Sequence, residues 1–161
     1  MVHQTVKHWW IQNQQFYANM RRRHRHLWVF IEQLIKTVGF KRVLEVGGGA
    51  GEVSEWLKGR YTNIERNAMA IAAGQKKYPG REFIEDDFMH MDTRQFQDYA
   101  YSLVLACGVI EHCSYYRTFL HRAVDTGAHL ILVTFFRGLW WRADRIVKVV
   151  GPGGVFYENH Y

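Results

Sequence analysis

Val43-Leu44-Glu45-Val46-Gly47-Gly48-Gly49-Ala50-Gly51 is the stretch on which the reading of the chain turns. A short apolar run, broken by one acid, ends in a cluster with Gly47, Gly49 and Gly51 at alternate positions. Such a run predicts a buried parallel strand. The glycines predict a tight turn, where missing side chains let backbone pass close to a ligand. The spacing narrows the ligand. A dinucleotide fingerprint, Gly-x-Gly-x-x-Gly, needs its third glycine at position 52, and Glu52 stands there.

Four further segments continue the pattern. A short helical stretch is predicted around Val53–Lys58, followed by a second strand, Tyr61-Thr62-Asn63-Ile64-Glu65, that ends in an acid. Arg81-Glu82-Phe83-Ile84-Glu85 reads as a third strand trailed by Asp86-Asp87-Phe88. Leu103–Cys107 reads as a fourth, leading into Gly108-Val109-Ile110-Glu111-His112, and His129–Phe136 as a fifth. Alternating strands and helices imply a parallel sheet with helices on both faces, and right-handed crossovers leave few topologies.

These motifs, in this order, resemble the class I S-adenosylmethionine-dependent methyltransferases, in particular the small-molecule branch with its Glu-His turn. The resemblance runs from Trp9 to Phe136; one departure is Asp86, where the family has glycine. It implies an α/β fold, Rossmann-like and doubly wound, with strand order 3-2-1-4-5 and the ligand beyond the carboxyl ends of the strands. It also implies S-adenosylmethionine as cofactor. Gly47, Gly49 and Gly51 would then receive its methionine portion, and Glu45 and the backbone of Cys107 and Gly108 would meet the ammonium. Glu65 would accept from the ribose hydroxyls, Asp87 from the adenine amine, and Phe88 would lie against the ring. His112 is the expected base if the acceptor must lose a proton, with Tyr17 (or Tyr115) orienting the acceptor.

Composition bounds the rest. The chain has 161 residues, 48% of them apolar, with two prolines, which suits one globular domain. No apolar run approaches the roughly 20 residues of a membrane helix, and the first residues lack a secretory core, so a cytoplasmic location is expected. Cys107 and Cys113 are expected as reduced thiols without a metal. Residues 1–42 hold eight Lys/Arg against one acid, so they account for the whole formal charge of +6. The cluster Arg21-Arg22-Arg23-His24-Arg25-His26, with Trp9, Trp10, Phe16 and Tyr17 nearby, could bind nucleic acid, although a short basic run is more often a solvated face, here the start of a helix.

Three segments are expected within the single domain 1–161. A helical lid spans 1–39, with helices over 4–20 and 22–38; the cofactor-binding core spans 40–136. A helix over Leu139–Val150 and one short strand fill 137–161, without the family's usual last two strands. That implies a truncated domain or a fragment of a longer protein. It also leaves an apolar fifth-strand edge, through which a homodimer is expected. The expected activity is methyl transfer to a small-molecule acceptor. The alternatives are a non-catalytic cofactor-binding partner subunit, an RNA methyltransferase using the basic helix, and an aminopropyltransferase. The Asn-Pro-Pro-Tyr signature of amino-methylating DNA enzymes is absent; Ala106-Cys107-Gly108-Val109 fills its place.

Overall fold

The structure is a computed structural model that describes residues 22, 24–113 and 115–134, and the backbone of 145–151 and 154–160. The helix predicted over 4–20, with Trp10 and Tyr17, lies outside the described residues, as do Arg21, Arg23, Phe135, Phe136 and residues 139–144. The elements are α1 (Arg25–Val38), β1 (Arg42–Val46), β2 (Arg60–Glu65), α2 (Ala68–Lys77), β3 (Glu82–Glu85), β4 (Leu103–Cys107), α3 (Tyr116–Asp125), β5 (Ile131–Thr134), β6 (Arg145–Gly151) and β7 (Gly154–His160). Short 3-10 segments at Glu52–Trp56, Thr93–Tyr99 and Ile110–His112 connect them.

β1 to β5 form one parallel sheet in the order β3-β2-β1-β4-β5, as the sequence predicts. Both faces of its centre are buried, which is why the strands read as nearly continuous apolar runs. Strand alternation divides them between two cores. Val43, Leu103 and Leu105 pack with Ile31 and Ile35 of α1 on one face. Leu44, Val46, Val104 and Ala106 pack with Phe88, Phe119 and Ala123 on the other. Helix α1 stops at Gly39, whose φ of +67° makes the left-handed cap that a side chain would disfavour.

The β1–β2 crossover runs through the 3-10 segment Glu52–Trp56, tied down by Arg81, whose guanidinium donates to the carbonyls of Gly59 (2.5 Å), Ser54 (2.9 Å) and Leu57 (2.6 Å). Helix α2 begins at Asn67, whose Oδ1 accepts the Met69 N–H at 3.0 Å.

The C-terminal segment corrects the prediction. In place of a helix reaching Val150, Arg145–Gly151 is a strand, paired antiparallel with Gly154–His160. Two strands therefore follow β5 where at most one was expected. Ile146, Val147, Val149 and Val150 are β-branched, and Gly151-Pro152-Gly153-Gly154 supplies turn residues before Val155-Phe156-Tyr157, which together favour a hairpin. Among the described residues this hairpin is a separate ribbon, not hydrogen-bonded to the five-stranded sheet, and β5 remains at the sheet edge. Strand β7 lies alongside the Ile110–His112 turn.

Candidate functional site

β1 is flanked by β2 on one side and β4 on the other, so the chain reverses direction across the sheet between β1 and β4. Crevices at such switch points, beyond the carboxyl ends of the strands, are where open α/β sheets bind ligands. The glycine loop leaves β1 there. Gly47, Gly49 and Gly51 have φ of +67°, +58° and +74°. Each glycine faces a different neighbour. A Cβ on Gly47 would stand 2.6 Å from Val109, so the loops after β1 and β4 touch at the switch point. One on Gly51 would meet the Phe83 ring at 2.9 Å, whereas one on Gly49 would meet nothing within 4 Å. Gly49 is the open face of the loop.

The loop's amides are already committed. Gly47 N–H donates to Ile64 O (2.8 Å), Gly48 N–H to Asn63 Oδ1 (3.0 Å), Gly49 N–H to Glu65 Oε2 (3.0 Å) and Gly51 N–H to Gly48 O (2.9 Å). A pyrophosphate needs such donors free. A loop with its N–H groups turned inward suits a ligand that is itself a donor or a cation, and the open face at Gly49 gives that ligand room.

Residues of β2 supply the inward partners. Tyr61, Asn63 and Glu65 alternate along the strand and so share a face. Glu65 sits at its end with Oε1 accepting the Arg66 and Asn67 N–H groups at 2.8 and 2.9 Å, while Oε2 holds Gly49. A carboxylate has about four acceptor positions; three of those of Glu65 are occupied and one is left over. Asn63, fully buried, bridges Gly48 and Gly49 and was not singled out from the sequence. Its signal was there: an amide in the middle of a buried strand, in phase with Glu65.

Glu45 is 2% exposed, one oxygen accepts the Tyr61 hydroxyl, and a Cβ on Gly48 would stand 2.6 Å from its carboxylate. Glu45 is therefore packed against the loop at Gly48 and tied to Tyr61. Burial, reinforced by the Glu45 carboxylate, holds the Tyr61 hydroxyl well above its usual pKa, so it stays a donor.

At the end of β3, Asp87 Oδ1 accepts the Met89 N–H at 3.0 Å. Its Oδ2 stands 3.0 Å from His90 Nδ1 and 3.5 Å from an Arg66 guanidinium nitrogen. Burial pulls the Asp87 pKa upward, but the Met89 amide, His90 and Arg66 together outweigh it and hold the carboxyl below its usual value. Asp87 is thus an ionised acceptor in line with Glu65. Phe88 is a second correction: at 3% exposure, its ring lies 5.1 Å from that of Phe119, inside the core. It cannot serve as an open shelf for a base in this arrangement.

Across the switch point, Gly108 has φ +66° and its N–H donates to Thr134 Oγ1 at 3.2 Å. The thiols of Cys107 and Cys113 are both pushed up to about 12, by burial first and nearby carboxylates second, which disfavours the thiolate at both. The Glu-His turn splits: Glu111 is buried and His112 exposed. Tyr115, 72% exposed, follows on the same rim. Among the described residues no group of His, Cys, Asp and Glu could hold a metal ion, and no helix is long and apolar enough to cross a membrane. Of the basic cluster, Arg22 and Arg25 are described and exposed.

Comparison with known proteins agrees with this geometry. A family model described as "Methyltransferase domain" matches residues 44–130, from β1 to the start of β5. No curated protein matches. Among solved structures, the plantazolicin methyltransferase BpumL in complex with SAH superposes with a TM-score of 0.56 at 16% identity, over 80% of this chain and 53% of that one. The sugar N-methyltransferase KedS8 from Streptoalloteichus sp. superposes with a TM-score of 0.55 at 13% identity, over 81% of this chain and 68% of that one. The chain thus spans about half the length of the first and two thirds of the second.

Proposed function

The chain belongs to the methyltransferase domain family, and from that premise we propose that it transfers a methyl group from S-adenosylmethionine to a small-molecule acceptor. The observation that carries the reading is the pairing of an open glycine turn at Gly49 with ionisable acceptors at the ends of β2 and β3. S-adenosylmethionine supplies an already activated methyl group, so the protein's task is to position reactants and exclude water. The backbone at Gly47, Gly49 and Gly51, with that of Cys107 and Gly108 opposite, receives the amino-acid portion. Glu65 accepts from a ribose hydroxyl with its remaining lone pair, and Asp87 from the exocyclic amine. Glu45 acts through the loop it packs against.

The acceptor side is reached from the rim that carries His112 and Tyr115. His112, being exposed, can take a proton from an acceptor that must lose one; Tyr17 remains the expected orienting group from the N-terminal segment. The two structural neighbours are named for methylation of plantazolicin and of a sugar, and the second name is the one in keeping with a small-molecule acceptor. Isothermal titration with S-adenosylmethionine and S-adenosylhomocysteine tests the reading. Micromolar binding to the wild type, lost in Glu65→Ala at unchanged far-UV circular dichroism, is expected. A folded protein that binds neither compound would overturn it.

A further inference from the structure

Asn63 is fully buried at the centre of β2, directly across the register from Glu45 of β1. Its Oδ1 accepts the Gly48 N–H at 3.0 Å and its Nδ2 donates to the Gly49 carbonyl at 2.9 Å. The partners fix the orientation of the amide, since an N–H can only donate and a carbonyl only accept. Two consecutive loop residues are thus held by one side chain, through one bond of each sense. Aspartate of the same length lacks the donor; serine and threonine are too short to reach both. The fit is close: a Cβ on Gly48 would stand 2.8 Å from Asn63 Oδ1.

We propose that Asn63 is the positioning residue of the cofactor loop. It fixes Gly48 and Gly49 so that the left-handed turns flanking them are set before a ligand arrives. The inference rests on the reading of this loop as the cofactor cradle. Its physical content is preorganisation: a loop already ordered in the folded protein loses little further freedom on binding. Tyr61 and Glu65, on the same face, fix Glu45 and Gly49, but neither holds a loop carbonyl. Asn63 alone on this face ties both an N–H and a carbonyl of the loop.

Asn63→Asp is the decisive variant. It keeps the acceptor and the shape, loses the donor to Gly49, and adds a charge beside Glu45 and Glu65, with Tyr61 on the same face and Glu52 near Tyr61. Those two carboxylates and burial raise the pKa of the introduced acid. Once protonated, it donates to Gly49 again. Titration with S-adenosylhomocysteine should therefore show a Kd at least tenfold above wild type at pH 8, with the gap shrinking to about threefold or less at pH 6. Amide exchange at Gly49, followed by NMR and compared with wild type at the same pH, should accelerate at pH 8 in step, while Gly48 keeps its acceptor. A merely structural role would lower the melting temperature without this recovery of affinity. Asn63→Ala should weaken binding at both pH values; if it does not fold, Asn63→Asp still decides. Wild-type affinity and wild-type exchange in Asn63→Asp at a pH where carboxyl 13C NMR shows the introduced acid ionised, or in folded Asn63→Leu at either pH, would overturn the proposal. If the wild type itself binds nothing, the cofactor reading fails, and the exchange rates alone decide whether Asn63 holds the loop.

Discussion

Gly48 and Gly49 are adjacent, and replacing each by alanine should break different things. At Gly49 the φ is +58° and a Cβ meets no atom within 4 Å. The cost to the fold is the left-handed conformation, about 1–2 kcal/mol for an L-residue, offset by about 0.4–1 kcal/mol from the stiffer unfolded chain. A net loss near 1 kcal/mol lowers the melting temperature of a chain this size by about 2–4 °C. The new methyl nevertheless stands on the open face of the loop, so S-adenosylhomocysteine should bind at least tenfold more weakly. At Gly48 the strain is steric: a Cβ would lie 2.6 Å from the Glu45 carboxylate and 2.8 Å from Asn63 Oδ1. Both neighbours are buried and hydrogen-bonded, so neither swings away freely. Overpacking of that kind costs about 1–3 kcal/mol, and displacing Asn63 forfeits about 1 kcal/mol for each of its two loop bonds. Gly48→Ala should thus melt well below Gly49→Ala. Differential scanning calorimetry beside isothermal titration reads both effects. Wild-type affinity in Gly49→Ala would refute the assignment of the open face.

The remaining predictions concern groups around the site. Phe88→Ala, in the core against Phe119, should cost about 3–5 kcal/mol, whereas Phe88→Leu should keep wild-type affinity for S-adenosylhomocysteine; an affinity loss in a stable Phe88→Leu would restore the shelf role. With both thiols pushed up to about 12, Cys107, half-buried, and Cys113, buried, should resist iodoacetamide at pH 8 until denaturant is added, and prompt labelling of the folded protein would contradict the raised values. Asp87 has its folded pKa below the unfolded value of 3.8, so its ionised form adds stability above that pH and loses it as the pH falls through the folded pKa. Denaturant melts should therefore find wild type more stable than Asp87→Asn at pH 6, with the difference fading below pH 4; a constant difference would show that the ion pairs are not its source.

The sheet order and the loop were legible because they rest on strong local rules. Val43–Val46 and Leu103–Cys107 are buried along nearly their whole length and apolar apart from Glu45, and the chemistry of a parallel sheet gathers at strand ends, where Glu65, Asp87 and the glycines stand. What a strand-end acid does was less legible. Glu45 and Glu65 are both carboxylates beside the loop, yet Glu45 precedes the last residue of β1 and packs against the loop at Gly48, while Glu65 closes β2 and has one acceptor position left over. Identity does not settle that difference; strand phase and the reach of Tyr61 do. Phe88 was misplaced for the same reason, since one residue beyond Asp87 the chain turns inward onto Phe119. The terminal hairpin is less legible because the segment Leu139–Val150 has the length of a short helix, and only the β-branched residues near its end argue for a strand.

The distribution of charge explains why the spacing of the glycines and the chemistry of the site agree. Glu65, Glu85, Asp86 and Asp87 stand at the ends of β2 and β3, and Glu52 begins the segment that follows the loop. A dinucleotide brings two phosphates to the place where the third glycine of its fingerprint opens a helix. Here that place carries a carboxylate, the following segment is a 3-10 turn rather than a full helix, and the loop's amides already serve Asn63, Glu65, Ile64 and Gly48. Each of these works against an anion: repulsion, a weaker helix dipole and donors already used. Each is harmless or favourable to the sulfonium and the ammonium of S-adenosylmethionine, though not to its carboxylate. Glu52 therefore does more than interrupt a pattern. It belongs to the same electrostatic arrangement as Glu65 and Asp87, in which the loop offers shape and the strand ends offer negative charge.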